Sequence, residues 1–297
     1  MLLLLIAVLS VTTDGLLSSS NLQNILTQSA VVAVAAIGAT FVILTAGIDL
    51  SAGSVIGAAG VTAAAVMGHT GNVWLGVLAG VGVGFGSGAI MGSLIGGLTV
   101  VPFVVTLAGL FAVNGITLLT SQGATYARMP DSFTNIAFNH IAGLPTIAVI
   151  AIVLYVVAQL VLTRTVWGRK VTLTGANPTT ARVTGINVKA VTWSVYAVAG
   201  AFSGIGGILL TAQLGGANAT MGSPQLLNII GAVVLGGTSL FGGKGSMLRT
   251  AIGALILGFL ASGMSLLGLQ SYDQQSVTGA VIVLAAAADV LLHRRSR

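Results

Sequence analysis

Long blocks of apolar residues recur along almost the whole of this chain, with only short polar segments between them. Residues 26–46, 102–119 and 145–162 are examples. About 20 apolar residues in helical conformation cross the hydrocarbon core of a bilayer. Lipid accepts only helices or the strands of a closed barrel, because every backbone polar group must be paired internally. Charged residues make up 5% of the 297 residues, against about 25% in soluble domains. The sequence therefore predicts an integral membrane protein.

The pattern favours helices over strands. Glycine stands at every second position from residue 80 to residue 88, which would suit a strand, but no other segment alternates as a barrel requires. In a helix the same spacing places Gly80 and Gly84 on one face, and Gly200 and Gly204 form a second pair of this kind. Such pairs allow two helices to approach closely. We therefore predict an all-α fold.

The apolar blocks predict a polytopic bundle of about ten transmembrane helices, some of them short or broken. They are residues 1–11, 26–46, 55–67, 73–98, 102–119, 145–162, 191–210, 226–235, 247–267 and 276–292. The first block is either a signal peptide with a cleavage site in Ser18–Ser20 or a span shortened at its N-terminus. We favour the span, because both termini can lie on the same side of the membrane only if the number of spans is even. The eighth block is short and runs into GGTSLFGGKGS, so a broken or re-entrant helix is expected there.

The basic residues predict how these spans are oriented. If the segment after the sixth block is cytoplasmic, Arg128 is the one Lys or Arg left outside, and the other ten of the eleven lie inside. This asymmetry follows the positive-inside rule and predicts that both termini are cytoplasmic. The net charge of +6 is then explained by the loops and not by nucleic-acid binding. No polar stretch has the length of a soluble domain, so residues 1–297 are expected to form a single transmembrane domain.

The segment Arg164–Lys189 carries five basic side chains and no acid. Within it Asn177 can cap the N-terminus of a short helix, Pro178 fits the first helical position, and Gly185 can close the C-terminus. The predicted helix, residues 178–184, has about two turns and is too short to be stable alone in water. It is therefore expected to dock on a partner. Its small residues at positions i, i+3 and i+4 would form the docking face; they are Ala181, Thr184 and Gly185.

The sequence offers no convincing catalytic, cofactor or metal site. Cysteine is absent, and the three histidines are scattered with no nearby pair of acids. The glycine-rich segment Gly236–Ser246 differs from a phosphate-binding loop, because Thr238 and Gly245 stand where that motif requires Gly and Ser or Thr. We interpret it as a helix-breaking hairpin whose turn residues are Gly236, Gly237, Gly242 and Gly243.

Asp49 is a carboxylate between two apolar blocks, in the string AGIDLSAGS. Such a charge is expensive near lipid and usually has a partner or a role. One hypothesis is that Asp49 or Ser51 caps the next helix. The other is a gate in which Asp49 pairs with a cation, for which Lys244 and Arg249 are available on the same predicted face. The pattern [AG]-G-x-x-L-x-x-G occurs here and again at residues 236–243, which suggests an internal duplication.

Three separated strings resemble the ribose/xylose/galactoside class of sugar-importing ABC permeases. They are LTAGIDLSAGS at residues 44–54, GANPTTAR and TGINV within residues 175–188, and GAVVLGGTSLFGG at residues 231–243. The resemblance extends from Ser20 to Ala286. It departs in detail, with Ala46 where the family more often has glycine and Thr180 where a second alanine is common.

The resemblance implies an importer subunit in a bacterial inner membrane. Two permease chains, identical or different, would form the pathway for a monosaccharide or a related small polar solute. A cytoplasmic ATPase would drive transport, and an extracytoplasmic solute-binding protein would deliver the solute. Residues 164–190 would be the loop that couples to the ATPase, with contacts from Asn177, Pro178, Ala181, Arg182, Thr184 and Gly185. Branched-chain amino-acid import by the same architecture is the alternative. An ion-coupled secondary transporter is less favoured, since paired charges within the spans are few.

Overall fold

The computed structural model describes residues 2–294, apart from some side chains in the first and last helices. Over these residues the fold is almost entirely α-helical. The helices are α1 (Leu2–Thr12), α2 (Ser19–Leu44), α3 (Ala52–Thr70), α4 (Val73–Gly92), α5 (Pro102–Ser121), α6 (Asp131–Thr134), α7 (Thr146–Arg164), α8 (Val166–Ala176), α9 (Pro178–Val183), α10 (Val188–Leu214), α11 (Gln225–Leu235), α12 (Met247–Leu266) and α13 (Ser271–Arg294). A π-helical turn, Ser93–Gly97, extends α4.

All ten predicted blocks are helical, but not all of them qualify as spans. Within the described residues, seven helices are long and apolar enough to cross a membrane: α2, α3, α4 with its π-helical extension, α5, α7, α10 and α12. The helices α1 and α11 have 11 residues each and so are about 16 Å long. The expected short eighth block is thus confirmed as a short helix. The prediction of a polytopic all-α protein is confirmed. Of the ten predicted spans, seven correspond to helices that are long and apolar enough to cross a membrane. The cytoplasmic location of both termini stays a prediction.

The helices α4 and α10 pack with their backbones in contact. Every fourth residue of α4 faces α10 or α3, and these residues are Gly80, Gly84, Gly88 and Gly92. A Cβ atom on Gly84 would overlap the carbonyl oxygen of Gly200, and one on Gly88 would overlap that of Tyr196. Gly82 and Gly86, on the other side of α4, have no atom within 4 Å of a Cβ position. The predicted close contact of glycine faces is therefore confirmed.

The second half of the bundle repeats the helix arrangement of the first half. A shift of about 170 residues carries α2, α3, α4 and α5 onto α10, α11, α12 and α13, as in transporters built from internal repeats. The contacts follow the same rule. The helix α3 packs on α4 and α5 as α11 packs on α12 and α13, and α10 packs on α3 and α4 as α2 packs on α11 and α12.

The two halves are inverted relative to each other. Gly38 of α2 lies against Ala199 of α10, whereas Ala35 lies against Gly206, so these equivalent helices run antiparallel. The segment after α2 corresponds to the segment after α10, not to residues 236–243. The repeat is therefore present, but the AGIDLSAG pattern noted above does not mark it.

The two ends of the bundle differ in charge. The basic segment with α8 and α9 lies where α4 ends and α10 begins, and there Lys189 Nζ donates a hydrogen bond to the Gly97 carbonyl oxygen at 3.4 Å. Arg128 lies at the opposite end, where its carbonyl oxygen is 3.2 Å from a Cβ position on Gly68 in the last turn of α3. This separation agrees with the predicted charge asymmetry.

A small cap covers the end that carries Arg128. It contains α6, a 3-10 turn (Asn135–Ala137) and an antiparallel pair of two-residue strands, His140–Ile141 and Leu144–Pro145. Tyr126 ties the cap to the chain after α10, because its backbone exchanges two 2.9 Å hydrogen bonds with Ala217.

Candidate functional site

The short helix α9 has both of the ends that the sequence predicts. The Asn177 Oδ1 atom accepts hydrogen bonds from the backbone N–H groups of Thr179 and Thr180, each at 3.0 Å. At the other end Gly185 has a φ of +83°, and its N–H donates to the Arg182 carbonyl oxygen at 3.0 Å. A left-handed glycine just past the last turn is a common helix stop. The predicted helix is confirmed, and its role in docking stays a prediction.

The surface that α9 presents differs from the expected one. Ala181 is only 3% exposed and packs inside the chain. The prediction that Ala181 is part of the docking face is therefore wrong. Thr184 and Gly185 are exposed, as is Arg182. Val183 is 83% exposed and is the large apolar residue at the tip of the helix. Exposed apolar side chains of this kind can anchor a contact with a partner.

The basic segment also contains α8, which the sequence analysis missed. The Thr165 hydroxyl oxygen caps this helix by accepting the Gly168 N–H at 3.0 Å. A Cβ atom on Gly168 would overlap the Leu162 carbonyl oxygen, so the glycine allows α8 to fold back against the last turn of α7. Buried residues recur on one face of α8, at Gly168, Val171 and Gly175. This helical spacing in VWGRKVTLTGA was the signal that could have revealed the helix.

Three segments that are far apart in the sequence meet at the end of α8. The Gly243 N–H donates to the Leu44 carbonyl oxygen at 2.9 Å. A Cβ atom on Gly175 would overlap that same oxygen, and one on Gly243 would lie 2.8 Å from Ala176 Cα. A Cβ atom on Gly242 would lie 2.8 Å from the Gly175 carbonyl oxygen. We call residues 44–46, 175–176 and 242–243 the three-segment junction. Each segment comes from one of the three strings that carry the family resemblance.

The glycine-rich hairpin between α11 and α12 supplies one side of the junction. Gly237, Gly242 and Gly243 have positive φ values of +72°, +82° and +73°, which favour glycine. The turn is closed by the Ser239 N–H, which donates to the Lys244 carbonyl oxygen at 2.9 Å. The chain therefore turns where the sequence predicts a hairpin, and any functional role of this hairpin stays a prediction. A Cβ atom on Gly236 would lie 2.6 Å from the carbonyl oxygen of Arg249, so the hairpin also packs tightly on the start of α12.

Two buried hydroxyl groups at this junction lack hydrogen-bond partners among the described residues. They belong to Thr174, next to Gly175, and to Thr238 in the hairpin, and each residue is 3% exposed. An unpaired buried hydroxyl group destabilises a fold by about 1–3 kcal/mol. The junction is therefore well packed but not fully hydrogen-bonded in this conformation.

Asp49 lies in the connection between α2 and α3. Its Oδ1 atom accepts hydrogen bonds from the Ser51 N–H at 2.8 Å and from the Ser51 hydroxyl at 2.5 Å. Ser51 is the N-cap residue of α3, although its own side chain makes no capping hydrogen bond. Burial raises the pKa of the Asp49 carboxyl group, and the Ser51 hydrogen bonds oppose that rise. Among the described residues no ion pair involves Asp49, so neither Lys244 nor Arg249 neutralises it here.

The same connection is held between α5 and α10. The Thr106 hydroxyl of α5 donates to the Ile48 carbonyl oxygen at 3.1 Å, and the Tyr196 hydroxyl of α10 donates to the same oxygen at 3.5 Å. A Cβ atom on Gly47 would lie 2.5 Å from the Tyr196 hydroxyl. A movement of this connection would therefore change its hydrogen bonds to both α5 and α10.

In the described part of the chain, no group of three His, Asp or Glu side chains is close enough to hold a metal ion.

Comparisons with known proteins agree over nearly the full chain. The sequence profile of a family described as "Branched-chain amino acid transport system / permease component" matches residues 21–286. The ribose import permease protein RbsC of Escherichia coli (strain K12) is 38% identical over 292 residues, which cover 97% of this chain and 91% of that protein. RbsC of Bacillus subtilis (strain 168) is 35% identical over 296 residues, 99% of this chain and 91% of that protein. The D-allose transport system permease protein AlsC of Escherichia coli (strain K12) is 32% identical over 286 residues, 96% of this chain and 88% of that protein. No solved structure gives a significant match.

Proposed function

This chain belongs to the family of permease components of branched-chain amino acid transport systems, and from that membership we propose that it forms the membrane pathway of an importer for a ribose- or allose-type monosaccharide. It is a multi-pass membrane protein and a transport subunit, not an enzyme. An ABC permease of this kind implies an ATPase and a solute-binding protein as partners. The observation that carries the sugar assignment is the near full-length match to permeases for ribose and allose.

Branched-chain amino-acid import is the second candidate, because the family description names that substrate class. The curated relatives described above are named for ribose and D-allose, which favours a sugar. An ion-coupled secondary transporter would need paired charges inside the membrane, and the buried Asp49 has no such pair among the described residues.

The ATPase is proposed to dock on α9. Val183 would insert into a pocket of the ATPase, with Arg182 and Thr179 at the rim of the contact. Movement of α9 would pass to α8, and α8 ends at the three-segment junction. Because Gly175 touches both Leu44 at the end of α2 and Gly243 before α12, the junction can transmit that movement to both halves of the repeat at once.

The unpaired hydroxyl groups support such a movement. Thr174 and Thr238 have no hydrogen-bond partner among the described residues, and a second arrangement of the junction that pairs them would gain free energy. Coupling between distant sites requires an element with two discrete arrangements. The junction is our candidate for that element.

A second permease chain is proposed to pack against α5. This span is the least buried of the seven, and Phe103 and Phe111 are among its exposed apolar residues. It also carries the half-buried Asn114, whose Oδ1 atom has no hydrogen-bond partner among the described residues. A polar side chain in a span usually faces a pathway or another helix. We therefore expect α5 to face the pathway and the second chain, which can be identical or different.

The solute-binding protein is proposed to dock on the cap at the other end of the bundle. Exposed residues there mix apolar and polar groups, among them Phe138, Ile141 and His140. The His140 Nε2 atom lies 3.2 Å from Gln23 Oε1, which ties this surface to the start of α2.

Transport in reconstituted vesicles tests the substrate. The chain is reconstituted with its ATPase and its binding protein, and uptake of radiolabelled ribose, allose and leucine is measured with and without ATP. We expect ATP-dependent uptake of ribose or allose and none of leucine. ATP-dependent uptake of leucine alone would overturn the sugar assignment.

The same system tests the coupling helix. Val183→Asp places a charge at the tip of α9 and is expected to reduce ATPase co-purification and transport at least tenfold, with unchanged membrane insertion, because loss of one apolar anchor at a contact costs about 2 kcal/mol or more. Val183→Ile is the matched control and should behave as the unmodified chain. Normal transport by Val183→Asp would show that α9 does not dock through this residue.

A further inference from the structure

A groove with a volume of about 400 Å³ opens on the side of the bundle between α2, α7, α10 and the start of α8. This volume falls within the range of about 300–1,000 Å³ that is usual for small-molecule sites. Its walls are apolar and include Phe41, Val157, Val161, Val198 and Phe202. The neighbouring surface of α7 is apolar and about half exposed, as expected for a helix in contact with lipid.

The floor of the groove is held in place by Trp167. The Trp167 ring contacts Phe41 edge to face, with 4.9 Å between ring centroids. The Trp167 Nε1–H donates to the Ser194 hydroxyl oxygen at 2.9 Å. These two contacts hold the indole ring in place as one wall of the groove.

Three basic residues adjoin the lining residues Thr165 and Trp167 in the sequence, where α7 passes into α8. Arg164 precedes the lining residue Thr165, and Arg169 and Lys170 follow Trp167 within one turn of α8. All three basic side chains are exposed, and none forms an ion pair with another described residue.

The exposed stripe of α8 mixes these charges with apolar residues. Val166 and Leu173 are exposed on the same side of α8 as Arg169 and Lys170. A helix with this combination lies in the interface between headgroups and acyl chains, with its basic side chains reaching toward the headgroups.

We propose that this groove binds one anionic phospholipid, with an acyl chain in the groove and the headgroup held by Arg164, Arg169 and Lys170. An apolar channel with three cations at one end matches an amphiphile with one anionic end. A second copy of the chain fits less well, because among the acids whose side chains the structure describes Asp14, Asp131 and Asp273 lie at the opposite end of the bundle, and Asp49 is buried. The site depends on membrane integration alone and not on the identity of the transported solute.

Fluorescence quenching of Trp167 tests the site in the full chain. Trp74→Phe and Trp193→Phe leave Trp167 as the single remaining tryptophan, since the chain has three. The protein is placed in phosphatidylcholine vesicles that contain a fixed fraction of brominated-chain lipid, either phosphatidylglycerol or phosphatidylcholine. We expect stronger quenching by the brominated phosphatidylglycerol. Native mass spectrometry of the chain with all its tryptophans, which counts retained phosphatidylglycerol, checks the same preference without the background substitutions.

Two sets of variants separate the headgroup from the acyl chain. Arg169→Gln together with Lys170→Gln should remove most of the preference for phosphatidylglycerol, since each basic side chain near an anionic headgroup contributes roughly fivefold. Val157→Phe narrows the groove away from the basic residues and should reduce quenching by both lipids. Val153→Phe is its control, because Val153 and Val157 are 54% and 51% exposed and one turn apart on α7, and only Val157 lines the groove.

Several results would overturn this site. Equal quenching by the two lipids would remove the headgroup selectivity, and quenching that Val157→Phe leaves unaltered would place the acyl chain elsewhere. A disulfide between two copies of a Val157→Cys variant, with no quenching by either lipid, would assign the groove to a second copy of the chain.

Discussion

Ala46 lies in the left-handed region of backbone conformation, with a φ of +58°. A residue with a Cβ atom is disfavoured there by about 1–2 kcal/mol. The position belongs to the three-segment junction, where a Cβ atom on Gly242 would lie 2.9 Å from the Ala46 methyl group. The backbone strain at Ala46 therefore lies within the three-segment junction, where the packing is close.

Ala46→Gly is expected to stabilise the protein by up to about 1 kcal/mol, because glycine relieves the left-handed strain but adds entropy to the unfolded chain. The exposed Ala46 methyl group contributes little burial that would be lost. Thermal unfolding in detergent measures the effect. Ala46→Val, with a branched side chain, should lower the unfolding temperature. A lower unfolding temperature for Ala46→Gly would contradict the argument from backbone strain.

Asp49 is expected to act through its hydrogen bonds and not through its charge. Asp49→Asn keeps an oxygen acceptor for the Ser51 N–H and should transport almost normally, since Asn and Asp are similar as caps. Asp49→Ala leaves the buried Ser51 N–H unpaired and should lose about 1–3 kcal/mol of stability. The measurement is transport per inserted molecule, with expression determined separately. Equal and severe loss of transport in both variants at normal expression would mean that the negative charge is required.

The helix pair α4–α10 behaves as one element, because its glycines bring two backbones together. Gly84→Ala and Gly88→Ala should each destabilise the protein by about 1–3 kcal/mol, since the added methyl groups meet backbone atoms that cannot turn away. Gly82→Ala and Gly86→Ala are the matched controls on the open side of α4 and should stabilise it by up to about 1 kcal/mol each. Unfolding in detergent compares the four variants. Similar losses in all four would show that glycine is needed for flexibility and not for contact.

A helix was predictable where residues close to its ends in the sequence determine where it begins and ends. The ends of α9 depend on Asn177 and Gly185, and both positions act as predicted. The helix α8 was missed because its polar and apolar residues were interpreted as a loop, and because the tight turn at Gly168 depends on the last turn of α7. The burial of Ala181 was also unpredictable, since it depends on which side of α9 faces α8 and α10.

At the scale of the whole molecule, orientation is tested with cysteines introduced into this cysteine-free chain. Ser132 of α6 and Thr179 of α9 are exposed at opposite ends of the bundle. An impermeant thiol reagent added outside intact cells should label Ser132→Cys and leave Thr179→Cys unlabelled until the membrane is opened. A third cysteine at Ser296, which lies outside the described residues, reports on the C-terminus. Labelling of Thr179→Cys from outside would reverse the orientation.

The architecture of the whole molecule was predictable as far as composition determines it. Apolar blocks of membrane length predicted helical spans, but they could not show which helices pair. The three-segment junction joins Leu44, Gly175 and Gly243, and no local pattern connects residues so distant in the sequence. The sequence suggested an internal duplication, but from a pattern that does not mark the repeat, because the corresponding helices share positions in the fold and few identical residues.

The inverted repeat also determines when the protein can assemble during its synthesis. The helix α2 packs on α10, which follows it by about 170 residues, and a ribosome that adds about 5–20 residues per second needs roughly 10–30 s to reach it. During that interval α2, α3 and α4 are in the bilayer while the glycine faces that α10 will cover meet only lipid. The interval between the synthesis of α2 and that of α10 is therefore the period in which the nascent chain is most open to proteases and to wrong partners.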